Sequence, residues 1–272
     1  MRLVTMRQPD GTIAARKEGD DFIPIDGYAD VGALLQDPDW AAIAARTSGA
    51  RLDAAPVALA PTVVQPTKVI CAGLNYTSHI REMGHELPSH PTLFAKFADT
   101  LAGAADTIAA PAEEECLDWE GELAVVVGRP AYRVSESEAI DSIAGYSVAN
   151  DISMRTWQHR TSQWLQGKAW LASTPLGPEL VTPEEFDAKT AWLTTSVNGE
   201  VMQRHAISDL LFEPAQLVAY ISSFTPLHPG DVVLTGTPGG VGVARSPRRS
   251  LKPGDEVTVA IDRLGQTRNR IG

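Results

Sequence analysis

The segment DWEGELAVVV, residues 118–127, constrains the chain more than any other. Leu123 to Val127 is an unbroken apolar run, the pattern of a strand covered on both faces rather than one washed by solvent. In extended chain the side chains alternate, so Asp118, Glu120 and Glu122 would share a face with Ala124 and Val126. Negative charge gathered beside a buried strand is costly unless the carboxylates protonate, meet cationic side chains or hold a metal ion. The bland alternative is an edge strand that shows its acids to water as protection against aggregation. The apolar run weighs against it. If an ion is held, hard carboxylate oxygens suit Mg²⁺, Mn²⁺ or Ca²⁺ rather than zinc or copper. Glu113 to Glu115 are expected in a solvated loop.

A chain of 272 residues can form one large domain, or a full-sized domain with a small attachment. Its formal charge of -11 argues against a nucleic-acid surface and against a patch for anionic membranes, since both need clustered Lys and Arg. The two cysteines, Cys71 and Cys116, form no CxxC pair and are too few for a disulfide framework, which fits a reducing compartment. The first residues carry no apolar signal core, and no window approaches the roughly 18 to 20 apolar residues of a membrane span. A cytoplasmic protein with a small-molecule substrate is expected.

Residues 1–25 alternate short apolar runs with turn signals and read as a β-meander. Residues 31–46 have helical spacing broken by Pro38, which predicts two short helices. The Pro-spaced stretch 55–66 suits a linker, giving a small N-terminal α+β domain over 1–62 and a catalytic domain over 68–272. From Lys68 onward strands dominate, with helices expected over 77–83, 152–166 and 214–223. Without a regular βαβ rhythm, the fold class is mixed, β-rich α+β.

Several further residues are candidates, each beside a plainer reading. Asp151, where an apolar strand gives way to a helix, is either an N-cap or a third ligand beside Glu120 and Glu122. His79 and Glu82 at i and i+3 can act as one unit, the carboxylate orienting an imidazole that takes a proton from water; the alternative is a surface turn. Arg155 and Gln158 share a helical face and Lys168 follows. Single basic residues are usually solvated charges, but near a metal they bind a substrate carboxylate or stabilise an oxyanion. VVLTGTPGGVG is no P-loop and opens no helix, yet its backbone amides and Thr237 could cradle a carboxylate.

Together GLNYTSHIREMG, PTLFAKFADTLAG, DWEGELAVVVG, GYSVANDISMR, QGKAW with PLGP, and HPGDVVLTGTPGGVG with LKPGDEV resemble the fumarylacetoacetate hydrolase family, in the family's order from Lys68 to the C-terminus. The resemblance implies a β-roll catalytic fold, commonly a homodimer, binding Mg²⁺ or Mn²⁺ through residues matching Glu120, Glu122 and Asp151. It implies a water-activating pair at His79 and Glu82, a catalytic lysine at Lys168, and substrate contacts at Arg155, Gln158 and Thr237. Two departures touch the pocket wall: Thr156 stands where the family usually has Asp, and Ala169-Trp170-Leu171 replaces an aromatic followed by Asp or Gly. The expected function is a divalent-metal-dependent hydrolase that cleaves a C–C bond of an acylpyruvate or related β-diketo acid through a metal-held enolate, consistent with the acylpyruvate hydrolase or hydroxyheptadienedioate isomerase branch. The alternatives are decarboxylation or keto–enol isomerisation of an oxo-dicarboxylate such as oxaloacetate, and a non-catalytic protein stabilised by a structural ion.

Overall fold

The computed structural model describes residues 1–53, 57–82 and 86–272, excluding the side chains of His79 and Glu82. The strands run β1 Arg2–Gln8, β2 Gly11–Glu18, β3 Asp21–Pro24, β4 Leu52–Asp53, β5 Val69–Gly73, β6 Thr92–Lys96, β7 Leu101–Ala102, β8 Leu117–Asp118 and β9 Gly121–Val127. They continue with β10 Ile143–Asn150, β11 Ser153–Met154, β12 Thr174–Val181, β13 Trp192–Val197, β14 Glu200–Ala206, β15 Val232–Leu234, β16 Glu256–Ile261 and β17 Gly265–Arg270. The helices are α1 Val31–Leu35, α2 Trp40–Arg46, α3 Thr77–Glu82, α4 Glu136–Ser142, α5 Arg155–Gln158, α6 Leu165–Lys168 and α7 Pro214–Ser222.

One large mixed sheet has the order β4-β3-β2-β1-β12-β10-β9-β15-β5-β6, and a smaller antiparallel sheet has the order β14-β13-β16-β17. β9 lies inside the large sheet, antiparallel to both β10 and β15, and all seven of its residues are buried. Its alternating side chains serve opposite cores, as an apolar strand covered on both faces must. Ala124 and Val126 pack with Leu34, Leu35 and Val69 on the side of α1, while Val125 and Val127 pack with Leu217, Val218 and Ile221 of α7. The small sheet closes over Leu123 and Val148 through Leu193, Val259 and Ile261.

The N-terminal strands form the expected meander, β1 pairing β2 and β2 pairing β3. Hydrogen bonding also crosses the proline-rich stretch: β1 is antiparallel to β12, with Arg2 opposite Val181 and Leu3 opposite Leu180. The 1–62 segment thus extends the sheet of the 68–272 segment. Buried Leu3, Ala14, Val31 and Leu34 share one core with Ala149, Leu176 and Val232.

Two expected elements come out differently. Residues 118–127 are not one strand, because Asp118 belongs to β8, paired with β11, and the ladder restarts at Gly121. The helix expected over 152–166 is replaced by β11 and two four-residue helices, α5 and α6. Met154 pairs with Leu117, and the Arg155 side chain is drawn to Asp118, so tertiary pairing overrides the helical spacing there.

Gly121 sits between two of the carboxylates and lets the sheets meet. A Cβ at this position would run into Thr195 Oγ1 and stand 2.9 Å from Val259 Cγ1. Gly121→Ala should therefore cost about 1–3 kcal/mol through overpacking, read as a lower denaturation midpoint with unchanged slope. An unchanged midpoint would mean that the two sheets are not in contact at this point.

Candidate active site

Antiparallel pairing sets the start of β9 beside the end of β10, with Gly121 opposite Asn150 and Glu122 opposite Ala149. The pairing continues one step beyond the ladder, where Asp151 N–H donates to the Glu120 carbonyl at 2.8 Å and Glu120 N–H donates to Asn150 Oδ1 at 3.0 Å. Glu120, Glu122 and Asp151 thereby bring one carboxylate oxygen each within 4.8 Å of one another, and all three residues are buried. The choice for Asp151 between cap and cluster is decided: the residue capping α5 is Met154, and the Asp151 carboxylate points into the cluster.

Positive charge meets these acids unevenly. Lys168 Nζ bridges Glu120 Oε2 at 2.7 Å and Asp151 Oδ2 at 2.8 Å, and Lys96 donates to Asp151 Oδ1. Arg155 reaches Glu120 Oε1 at 2.7 Å and Asp118 Oδ2 at 2.9 Å. Glu122 pairs with no cation among the described residues; its Oε2 accepts the Gly236 N–H at 2.7 Å. Asp118 takes a different part from its neighbours, accepting from the Gly242 and Val243 amides and holding Arg155.

Protonation follows these partners. Burial would push the Asp151 carboxyl upward, but Lys168 and Lys96 outweigh it and hold it below the usual range. Burial alone would lower the Lys168 ammonium, yet Asp151 and Glu120 raise it above the ordinary lysine value, so it is charged at neutral pH. Glu122 goes the other way. Burial first, then the negative charges of Asp151 and Glu120, push it well above the carboxylate range.

The donor set fits a divalent ion of the Mg²⁺ or Mn²⁺ kind: three clustered hard oxygens, one of them on a buried carboxylate with no cation beside it among the described residues. Lysine and arginine already balance Glu120 and Asp151, so Glu122 is the residue that argues for the ion.

Other candidates fall around this centre. Gln158 Oε1 accepts from Arg155 Nη1 at 2.8 Å and so orients the guanidinium, whose Nη2 is buried with no partner among the described residues. Thr237 donates to the Gly121 carbonyl at 2.9 Å and accepts from Gln203 at 2.8 Å, which ties the glycine-rich loop to β9. That loop does hold carboxylates, but they are the protein's own, Glu122 through the Gly236 amide and Asp118 through the Gly242 amide. Gly236 has φ +99°, and a Cβ there would stand 2.9 Å from the Ala72 carbonyl, which only glycine avoids. His79 and Glu82 lie on α3, near whose start Asp209 accepts from the Ser78 N–H and hydroxyl. Their side chains lie outside the described part of the structure.

The sequence reading missed two groups. Lys96 stands in LFAKF on β6, and only its place in an otherwise apolar strand could have flagged it. Glu114, expected in a solvated loop, is half-buried and accepts from the Thr156 hydroxyl at 2.6 Å and from the Cys116 amide at 2.6 Å. Thr156 thus has a carboxylate partner from another segment.

Fold and site together describe a buried carboxylate centre, ringed by lysine and arginine, at one end of a mixed sheet. Residues 68–272 match the model of the fumarylacetoacetate hydrolase C-terminal domain, and the chain belongs to that family. It is 43% identical over 216 residues to the mitochondrial oxaloacetate tautomerase FAHD2A of Bos taurus, covering 78% of this chain and 68% of that protein. Among solved structures it resembles 2-hydroxyhepta-2,4-diene-1,7-dioate isomerase from Mycobacterium marinum, with 31% identity, a TM-score of 0.82 and coverage of 100% and 98%. It also resembles fumarylacetoacetate hydrolase from Exiguobacterium antarcticum, with 28% identity, a TM-score of 0.89 and coverage of 100% and 99%. Among the described residues no helix is long and apolar enough to cross a membrane.

Glu122 generates a pH test. A carboxyl whose folded-state pKa is raised contributes stability that is fully present below its unfolded value, about 4.3, and is lost as pH rises toward the folded value. Metal-free protein should therefore lose stability above that pH, and Glu122→Gln should flatten the slope. Added Mg²⁺ should raise the wild-type melting midpoint more at pH 8 than at pH 6, and Glu122→Gln should abolish that difference. Parallel pH profiles for wild type and variant in thermal melts would contradict the assignment.

Proposed function

We propose that this chain interconverts the keto and enol forms of a 2-oxo dicarboxylate of the oxaloacetate type. The observation that carries the reading is Arg155 Nη2, a buried guanidinium N–H group beside the carboxylate cluster with no partner among the described residues. Such a donor calls for an acceptor, and a substrate carboxylate supplies one. The tautomerase and isomerase names among the similar proteins point the same way.

Glu120, Glu122 and Asp151 would hold a Mg²⁺ or Mn²⁺ ion, and the chemistry thereby gained is Lewis-acid polarisation of the 2-keto oxygen. Arg155, oriented by Gln158 and Asp118, binds a carboxylate of the substrate. Lys168 stays protonated and sits between Glu120 and Asp151, so its ammonium stabilises negative charge developing on the keto oxygen. His79, assisted by Glu82, accepts the proton from C3 and delivers it to the 2-oxygen, which completes the enol, and the reverse transfer restores the keto form. Thr237 acts through the loop it anchors, holding Gly236 against Glu122.

Hydrolysis of an acylpyruvate C–C bond is the second reading, favoured by the structural likeness to a fumarylacetoacetate hydrolase. In it His79 would take its proton from water instead. The assembly we propose is a homodimer, and the compartment we propose is the cytosol, on the strength of two free cysteines.

Enol absorbance separates the readings. With Mg²⁺, oxaloacetate enol should relax to the keto form faster than in buffer without release of CO₂. Asp151→Asn and Lys168→Met should each slow this by about 10²–10³-fold. Pyruvate plus a free acid from an acylpyruvate panel would establish hydrolysis; pyruvate plus CO₂ from oxaloacetate would establish decarboxylation. Full activity of Asp151→Asn in excess chelator would refute the scheme.

A further inference from the structure

β6 brings into the centre a lysine that no role above employs. Lys96 closes that strand with its side chain fully buried, and its ammonium donates to Asp151 Oδ1. Asp151 is fully buried as well, and its Oδ2 accepts from Lys168. The two oxygens of one carboxylate are thus divided between two lysines.

Plainer accounts of Lys96 fall short. β6 is an edge strand, and an inward-pointing charge can protect a sheet edge from pairing with another chain. Such protection works where the edge meets solvent, and the Lys96 side chain has no exposed surface. A purely structural ion pair is no better supported. Desolvating two charges costs several kcal/mol per ion, and apolar side chains of similar volume commonly hold a fold as well.

We propose that Lys96 is a positioning residue of the ion site: it occupies Oδ1 of Asp151, so that a divalent ion would reach this carboxylate through Oδ2, beside Lys168, and its fixed charge keeps the loaded site attractive to an anion. This rests on the reading of Glu120, Glu122 and Asp151 as ligands of such an ion. The charge count supplies the reason. With Glu122 ionised, as a ligand of the ion must be, the carboxylates of Asp118, Glu120, Glu122 and Asp151 face, among the described residues, the cations Lys96, Lys168 and Arg155, one negative charge in excess. A divalent ion turns that excess into one positive charge, which attracts an anionic substrate. Without Lys96 the loaded site is neutral. The ion then meets less repulsion and the anion less attraction, so Lys96 exchanges metal affinity for anion affinity.

Calorimetric titration of wild type, Lys96→Met and Lys96→Gln with Mn²⁺ tests this, followed by titration of the Mn²⁺-saturated proteins with oxalate. Oxalate is a small dianion with two adjacent oxygens disposed like those of a 2-oxo acid. In both variants Mn²⁺ should bind more tightly and oxalate more weakly, each by about tenfold at the close range of these charges. Thermal midpoints of the metal-free proteins identify any variant that fails to fold, and the other variant then decides. Affinities that stay unchanged, or that fall together, in a folded variant overturn the inference while leaving the ion site standing. Wild type that binds no Mn²⁺ overturns the ion site and the inference with it.

Discussion

Carboxylates buried at one end of a sheet persist only where positive charge meets them, and the rest of this structure is arranged around that requirement. Asp118 and Glu120 share Arg155, Glu120 and Asp151 share Lys168, and Asp151 also holds Lys96. Among the described residues Glu122 has no cation beside it and accepts a backbone amide instead, and its carboxyl is pushed well toward its neutral form. A bound cation would relieve the group that the described residues leave unbalanced, which is how the donor set fits a metal ion.

No single stretch of chain contains these partners. β9 and β10 supply the acids by pairing in opposite directions, the turn after β15 supplies Gly236, β6 supplies Lys96, and α5 and α6 supply Arg155 and Lys168. Tightly packed glycines let these elements approach. Gly121 admits the small sheet against β9, and Gly167 lies against the Gln158 backbone so that α5 and α6 pack with their basic residues toward one centre. A shift in either packing would move charges relative to one another in a region of low dielectric, where small displacements matter most. The geometry of the centre is therefore a property of the sheet packing as much as of its own residues.

Much of this architecture is legible in the order of residues because the signals are local. The run Leu123 to Val127 reads as a strand covered on both faces, and it is one. Pro38 divides two short helices, and turn residues punctuate the N-terminal meander. The alternation of Glu120 and Glu122, with Asp151 at a strand end, carries the acidic centre. Local signals failed where distant groups compete. Helical spacing over 152–166 gives way because Met154 finds a strand partner in Leu117 and Arg155 an ion partner in Asp118. Glu114 looks like one of several loop acids until the fold folds it against Thr156.

What the amino-acid order determined, then, is the chemistry on offer: an apolar strand entered by carboxylates, basic residues nearby in sequence, and a glycine-rich turn. Tertiary structure alone decided the pairing. It drew Lys96 onto Asp151 across 55 positions of chain, turned the glycine-rich loop toward Glu122, and committed Thr237 to a carbonyl of β9. The physical reason is range. Strand and helix periodicity act between near neighbours, whereas a buried charge takes whichever opposite charge or donor the assembled sheets bring within hydrogen-bonding distance.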